Sequence, residues 1–147
     1  MTRRTFMADI DRWVRLSERR LDAVTKQATN NLLRGIRIAP GINRSGTRQR
    51  GTIPRDLGVL AASLQSTLYG STAISQAGQD SYALVVGFMG AGDRAVFSWG
   101  GAAAPYVKEV HYGANGVPGT FWIDDRAADW PAIVRAATAE AKLRVRP

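Results

Sequence analysis

From residue 6 to residue 36, apolar side chains return every three or four positions: Phe6, Ile10, Trp13, Leu21, Val24, Ala28, Leu32 and Ile36, with Arg, Asp, Glu and Lys between them. That spacing lays one stripe along a helix of roughly 45 Å. Ser17 interrupts the stripe between Ile10 and Leu21, where Val14 and Leu16 partly fill the gap. The opposite side mixes acids with bases instead of being uniformly basic, so the stripe reads as core rather than as a membrane face. A long helix over residues 1–38 is predicted, with its apolar face on a sheet. Gly35 and Pro40 bring it to a stop.

Both periodicities vanish over residues 39–56. Residues 39–55 hold three glycines, two prolines and four arginines, and a loop of that length inside a domain is either functional or ordered by a partner. Asp56 then caps a short predicted helix in which Leu57, Leu60 and Leu64 share a face. Thr, Ser, Tyr and Ile enrich residues 66–76. After the turn residues 78–80, the run 81–88 (SYALVVGF) alternates well enough to be an antiparallel partner strand.

Residues 87–94 (GFMGAGDR) lack the Lys-Ser/Thr of a phosphate loop and the glycine order of a dinucleotide fold, so they read as a turn region. A short strand over 95–99 follows. Pro105 near the start and Gly113 past the end frame two helical turns over APYVKEVHY. A last strand over 119–123 and a helix over 124–147 complete the chain. The final helix carries acids in its first turn and Lys142, Arg144 and Arg146 at its end, which suits its dipole. The expected fold class is α+β: an antiparallel sheet packed against a long N-terminal helix, with a C-terminal helix.

Five aromatics, Trp99, Tyr106, Tyr112, Phe121 and Trp122, gather between residues 99 and 122 beside the only histidine, His111. Glycines punctuate them, as suits a segment that packs a core in pieces and presents a shaped edge. They are assigned to packing or to a subunit interface. Adjacent Asp124 and Asp125 would diverge by about 100° on a helix and share no reacting atom. Neither Ser63, Ser71 nor Ser98 lies in a nucleophile-elbow setting. His111 reads as a surface or packing residue, and no metal, cofactor or catalytic group is expected.

Composition narrows this further. The 147 residues suffice for one domain with a real core, and the absence of cysteine excludes disulfides and thiolate chemistry. Charges every few residues at the N-terminus exclude a signal peptide or membrane span there, so a soluble intracellular product is expected, or one that leaves the cell only by lysis. The net charge is +8, and all of it is N-terminal: residues 1–60 hold thirteen Lys/Arg against five Asp/Glu, residues 61–147 seven of each. Arg44, Arg48, Arg50 and Arg55 stand in the loop without an intervening acid. They read either as a solvated connector or as a contact for phosphates or an acidic protein surface. With no aromatic among them, a base-stacking groove is the weaker form of the second reading.

Four short motifs, in this order of elements, resemble the tail-completion or head–tail joining proteins of long-tailed bacteriophages, which close the tail tube beneath the portal. Leu57-Gly58-Val59-Leu60 followed by Ala62-Ser63-Leu64 looks like the family's Gly-x-Leu-x-x-Ser segment. Val86-Gly87 would close the hairpin. Ala104-Pro105-Tyr106-Val107, running to Tyr112-Gly113, is similar to the Ala-Pro-Tyr segment that ends in an aromatic-glycine pair, and Phe121 fits the aromatic that precedes the last helix. Two features depart from the family: His111 stands where Glu is usual, with Glu109 two residues earlier, and the arginine loop is richer. The resemblance implies a virion protein that assembles into a homo-oligomeric ring, hexameric or dodecameric, and acts by binding alone. Its partners would be adaptor, tail-terminator or tail-tube proteins, with genomic DNA in the lumen and Arg44, Arg48, Arg50 and Arg55 facing a partner or that DNA. The alternatives are the tail-terminator role in the same neck, an independent basic nucleic-acid-binding protein, or a small hydrolase dependent on His111.

Overall fold

The computed structural model describes residues 6–37, 50–51, 59–69, 74–77, 81–101 and 104–146. It has the mixed architecture expected: a long N-terminal helix, two small antiparallel sheets and a C-terminal helix. Helix α1 (Phe6–Arg37) has Asp9 in its first turn, bridged to Arg12 at 3.2 Å. Its 32 residues extend roughly 48 Å.

The apolar stripe is core only over its second half, which corrects the expectation of one continuous buried face. Ala28 and Ile36 are buried, whereas Phe6, Trp13 and Leu21 are 78%, 67% and 57% exposed. The cause is the length of the elements that cover it. Helix α6 (Trp130–Arg144) runs back along α1, with Trp130 and Val134 near Leu32, Arg144 bonded to Gln27, and the Val145 carbonyl accepting from Arg20 Nε at 3.1 Å. Ahead of Arg20, in the arm formed by residues 6–19, the helix keeps Phe6, Met7, Ile10, Trp13 and Val14 exposed.

Short α2 (Val59–Ala62) ends where Ser63 N–H and Oγ both donate to the Leu60 carbonyl. The predicted helix is thus shorter than expected: Leu64 already belongs to strand β1 (Leu64–Tyr69), and Asp56 and Leu57 lie outside the described residues. β1 is central in a three-stranded sheet of order β2-β1-β3, all antiparallel. It pairs β2 (Ile74–Ala77) with Ser66 opposite Gln76, and β3 (Arg94–Trp99) with Ser66 opposite Phe97. Leu64, Ser66 and Leu68 point inward, while Gln65 and Tyr69 point out.

Residues 81–88, expected as a strand, form helix α3 (Ser81–Phe88) instead. Apolar positions 82, 84, 86 and 88 satisfy a two-residue period, but Tyr82, Val85, Val86 and Met89 satisfy i, i+3, i+4, i+7, and these four are buried while Leu84 and Phe88 are exposed. The hairpin partner of β1 is β2, which begins within residues 66–76 and ends at Ala77. Val86-Gly87 therefore lie within α3 and close no hairpin. The following turn docks on α1: Ala91 N–H donates to Asp22 Oδ1 at 2.8 Å, and Gly92 takes φ +90°.

Helix α4 (Ala104–Tyr112) has the bounds that Pro105 and Gly113 predict. It leads into a small hairpin, β4 (Gly113–Ala114) with β5 (Val117–Pro118), turned by Asn115 and Gly116, both at positive φ as a tight two-residue turn requires. The expected last strand over 119–123 is absent. Trp122 already begins helix α5 (Trp122–Ala128), and the predicted C-terminal helix is split at Asp129. Pro131 explains the split: it has no N–H to continue the ladder and suits the first turn of a new helix.

Two buried clusters hold these elements. Leu33, Leu64, Leu68, Tyr82, Val85, Val86 and Met89 form one, so α1 meets the sheet through Leu33, a residue outside the predicted stripe; Ile36, Leu60, Val110 and Trp122 form the other. Trp99 packs against both.

Candidate functional site

The second cluster holds Trp122 with Trp99 packed against it, and Tyr112 and Phe121 meet Trp122's neighbour His111 at its edge. Residues 119–121 lie against the end of α4: Thr120 N–H donates to the Val110 carbonyl at 2.9 Å and Phe121 N–H to the His111 carbonyl at 3.0 Å. Glycine is required on both sides of this contact. A Cβ on Gly113 would stand 2.6 Å from the Val117 carbonyl oxygen, and one on Gly119 would collide with the backbone of His111 and Tyr112. Phe121 caps α5 in the left-handed region, φ 49° and ψ 35°, a conformation that costs a bulky residue on the order of 1–3 kcal/mol.

That junction delivers five rings to one place. Trp122 is fully buried, with Trp99 edge-on at 4.7 Å between centroids. The His111 ring stands 4.7 Å from Tyr112, 5.5 Å from Phe121 and 5.9 Å from Trp122, all edge-to-face, and Tyr112 meets Phe121 at 6.0 Å. Such pairs add about 0.5–1.5 kcal/mol each beyond their buried area. Tyr112 and Tyr106 keep outer faces, 63% and 37% exposed. Tyr106 joins none of the ring pairs among the described residues.

Charged groups ring the cluster. Buried His111 places Nε2 3.2 Å from Asp124 Oδ2, so Nε2–H donates to that carboxylate. Arg50 grips Asp125 with both arms of its guanidinium, Nε to Oδ2 at 3.0 Å and Nη2 to Oδ1 at 2.9 Å, and lies 4.8 Å over the Phe121 ring. Gly51 N–H donates to the Thr120 carbonyl at 2.6 Å. Asp124 and Asp125 do stand in the first turn of α5, and their divergence sends one to His111 and the other to Arg50. Trp99 Nε1, Trp122 Nε1 and His111 Nδ1 are buried without a hydrogen-bond partner; each such group costs about 1–3 kcal/mol, which the ring packing must offset.

Arg50 refines one expectation. No acid stands between the loop's arginines, and compensation is expected from elsewhere or from water; for Arg50 it comes from the chain itself, at Asp125, 75 positions away. Arg44, Arg48 and Arg55 lie outside the described residues. Neither the His111–Asp124 nor the Arg50–Asp125 pair left a signal in the sequence, because each depends on how α5 is seated against elements distant in the chain.

Chemically the cluster is a rigid packed junction with an aromatic and cationic rim. Among the described residues no three His, Cys, Asp or Glu side chains gather, Ser63 Oγ is committed to the Leu60 carbonyl, and no helix is long and apolar enough to cross a membrane. No family model matches the chain, and neither a curated protein nor a solved structure matches it.

Proposed function

We propose that this chain is a structural virion protein of a long-tailed bacteriophage, one that forms a ring at the neck and joins or completes the tail by protein–protein binding. The observation that carries the proposal is the α4-to-α5 junction. The Ala-Pro-Tyr segment is a helix that ends at Tyr112-Gly113, and Phe121 follows after a tight hairpin, in the order that the resemblance requires. Its rim supports a binding role, since exposed Tyr with Arg is the side-chain mixture that protein interfaces favour. Here Tyr106, Tyr112 and Arg50 supply it.

On this reading the neighbours are adaptor, terminator or tube proteins and further copies of the chain. Arg44, Arg48 and Arg55 face a partner or DNA, and the site of action is the head–tail interface. Removing the gene from a phage that carries it is the test. Accumulation of separate filled heads and finished tails, rejoined by added protein, supports the proposal. Normal joined particles without the protein contradict it.

A further inference from the structure

The arm of α1 carries exposed apolar side chains, Phe6, Ile10 and Trp13, and they lie on the same side of the helix as a groove further along. The groove, about 530 Å³, runs between α6 and the edge of β3 and is lined by Val24, Ala28, Leu32, Phe97, Trp130 and Val134 among others. At about 100° per residue, Phe6, Ile10, Trp13, Ser17, Leu21, Val24 and Ala28 fall in one band. Their separations are four, three, four, four, three and four residues, a series that reads the same in both directions about Ser17.

We propose that this band is a two-fold docking surface for a second copy of the chain. Two α1 helices cross antiparallel at Ser17, and each arm lies in the other's groove. The symmetric spacing sets Ile10 against Val24 and Trp13 against Leu21 of the second copy, while Phe6 reaches the mouth of the groove above Ala28, which is itself buried. Because arm and groove share one face, docking one arm seats the other, the condition for a closed isologous pair. Arg12, Arg15, Arg19 and Lys26 fall on the far side, which keeps these cations out of the seam.

The size sets how tight the pair is. A contact from residue 6 to residue 28 runs about 35 Å, and at a width near 10 Å it covers on the order of 350 Å² per copy before the groove walls are added. Two copies together then bury on the order of 700 Å² without those walls, below the roughly 1,000 Å² of a stable interface, so the pair is weak and exchangeable rather than obligate. The inference does not rest on the neck reading, for which ring closure needs a different, head-to-tail surface.

The chain has no cysteine, so single cysteines report the geometry directly. Helix axes 8–10 Å apart bring facing Cα atoms to roughly 4–5 Å, within disulfide reach. The full-length Ser17→Cys protein should oxidise to a covalent dimer at least tenfold faster than Arg19→Cys, whose side chain lies on the far side. The parent should show a concentration-dependent monomer–dimer mass by light scattering. Trp13→Glu should abolish the dimer with an unchanged melting temperature, since Trp13 is exposed. Equal oxidation of the two cysteine proteins, a parent that stays monomeric, or a Trp13→Glu protein that still dimerises overturns the proposal. So does a monomer that instead floats with phosphatidylserine vesicles, which would assign the arm to a membrane surface. Failure of any of these leaves the gene-removal result untouched, so the two readings fall separately.

Discussion

Trp122 and Val24 show how differently two apolar residues weigh once their surroundings are fixed. Trp122 is fully buried against Trp99 and His111, so Trp122→Ala should cost about 3–5 kcal/mol and lower the melting temperature by about 10 °C or more. Val24 is expected from the sequence to be core, but it is only half-buried at the lip of the groove, one turn from buried Ala28. Ala28→Asp should therefore destabilise by about 3 kcal/mol or more by burying an unpaired charge, and Val24→Asp by roughly 1 kcal/mol. Denaturant titration of both reads the ratio; equal losses would mean that the stripe is buried along its whole length. Arg50→Gln removes a surface pair and should change stability by about 1 kcal/mol or less. The triple change of Arg44, Arg48 and Arg50 to Gln should likewise leave the melting temperature nearly unchanged while weakening any DNA or partner contact in a salt-dependent way.

The elements were legible where one periodicity excluded the other. The 3.6-residue repeat of α1 and the Pro105–Gly113 frame of α4 each had a single reading, and the structure has both. Residues 81–88 satisfy two periods at once, and their alternation reads as a strand; what decides for helix is that residues 82, 85, 86 and 89 close the sheet's inner face over Leu64 and Leu68. That difference is measurable. Leu84 is exposed in α3 but would share the buried face of a strand with Tyr82 and Val86. Leu84→Asp should fall within about 0.5 kcal/mol of the parent, and Val85→Asp should cost about 3 kcal/mol or more. The reverse order, by thermal or urea unfolding, would restore the strand. Trp122 in α5 was misread because Phe121-Trp122-Ile123 has strand composition, and only its seat against Trp99 and the cap at left-handed Phe121 reveal the helix start.

Across the whole molecule, the fold separates two surfaces. One end carries the aromatic junction with its Arg50 and tyrosine rim; the other carries the arm with its exposed apolar side chains. The aromatic residues were recognisable as a group in the sequence because they are dense between residues 99 and 122, whereas the salt bridges that seat them join residues up to 75 positions apart and leave no local pattern. A chain with two such surfaces suits a subunit that makes more than one kind of contact, as a neck component must. The most direct test of that claim is the location of this protein in purified phage particles, by cryo-electron microscopy of the head–tail junction with the subunit identified from its density. The account predicts a closed hexameric or dodecameric ring between head and tail, with the α4-to-α5 junction at a contact with a neighbouring protein. Particles whose neck density excludes this fold, or in which the protein is absent, would contradict it.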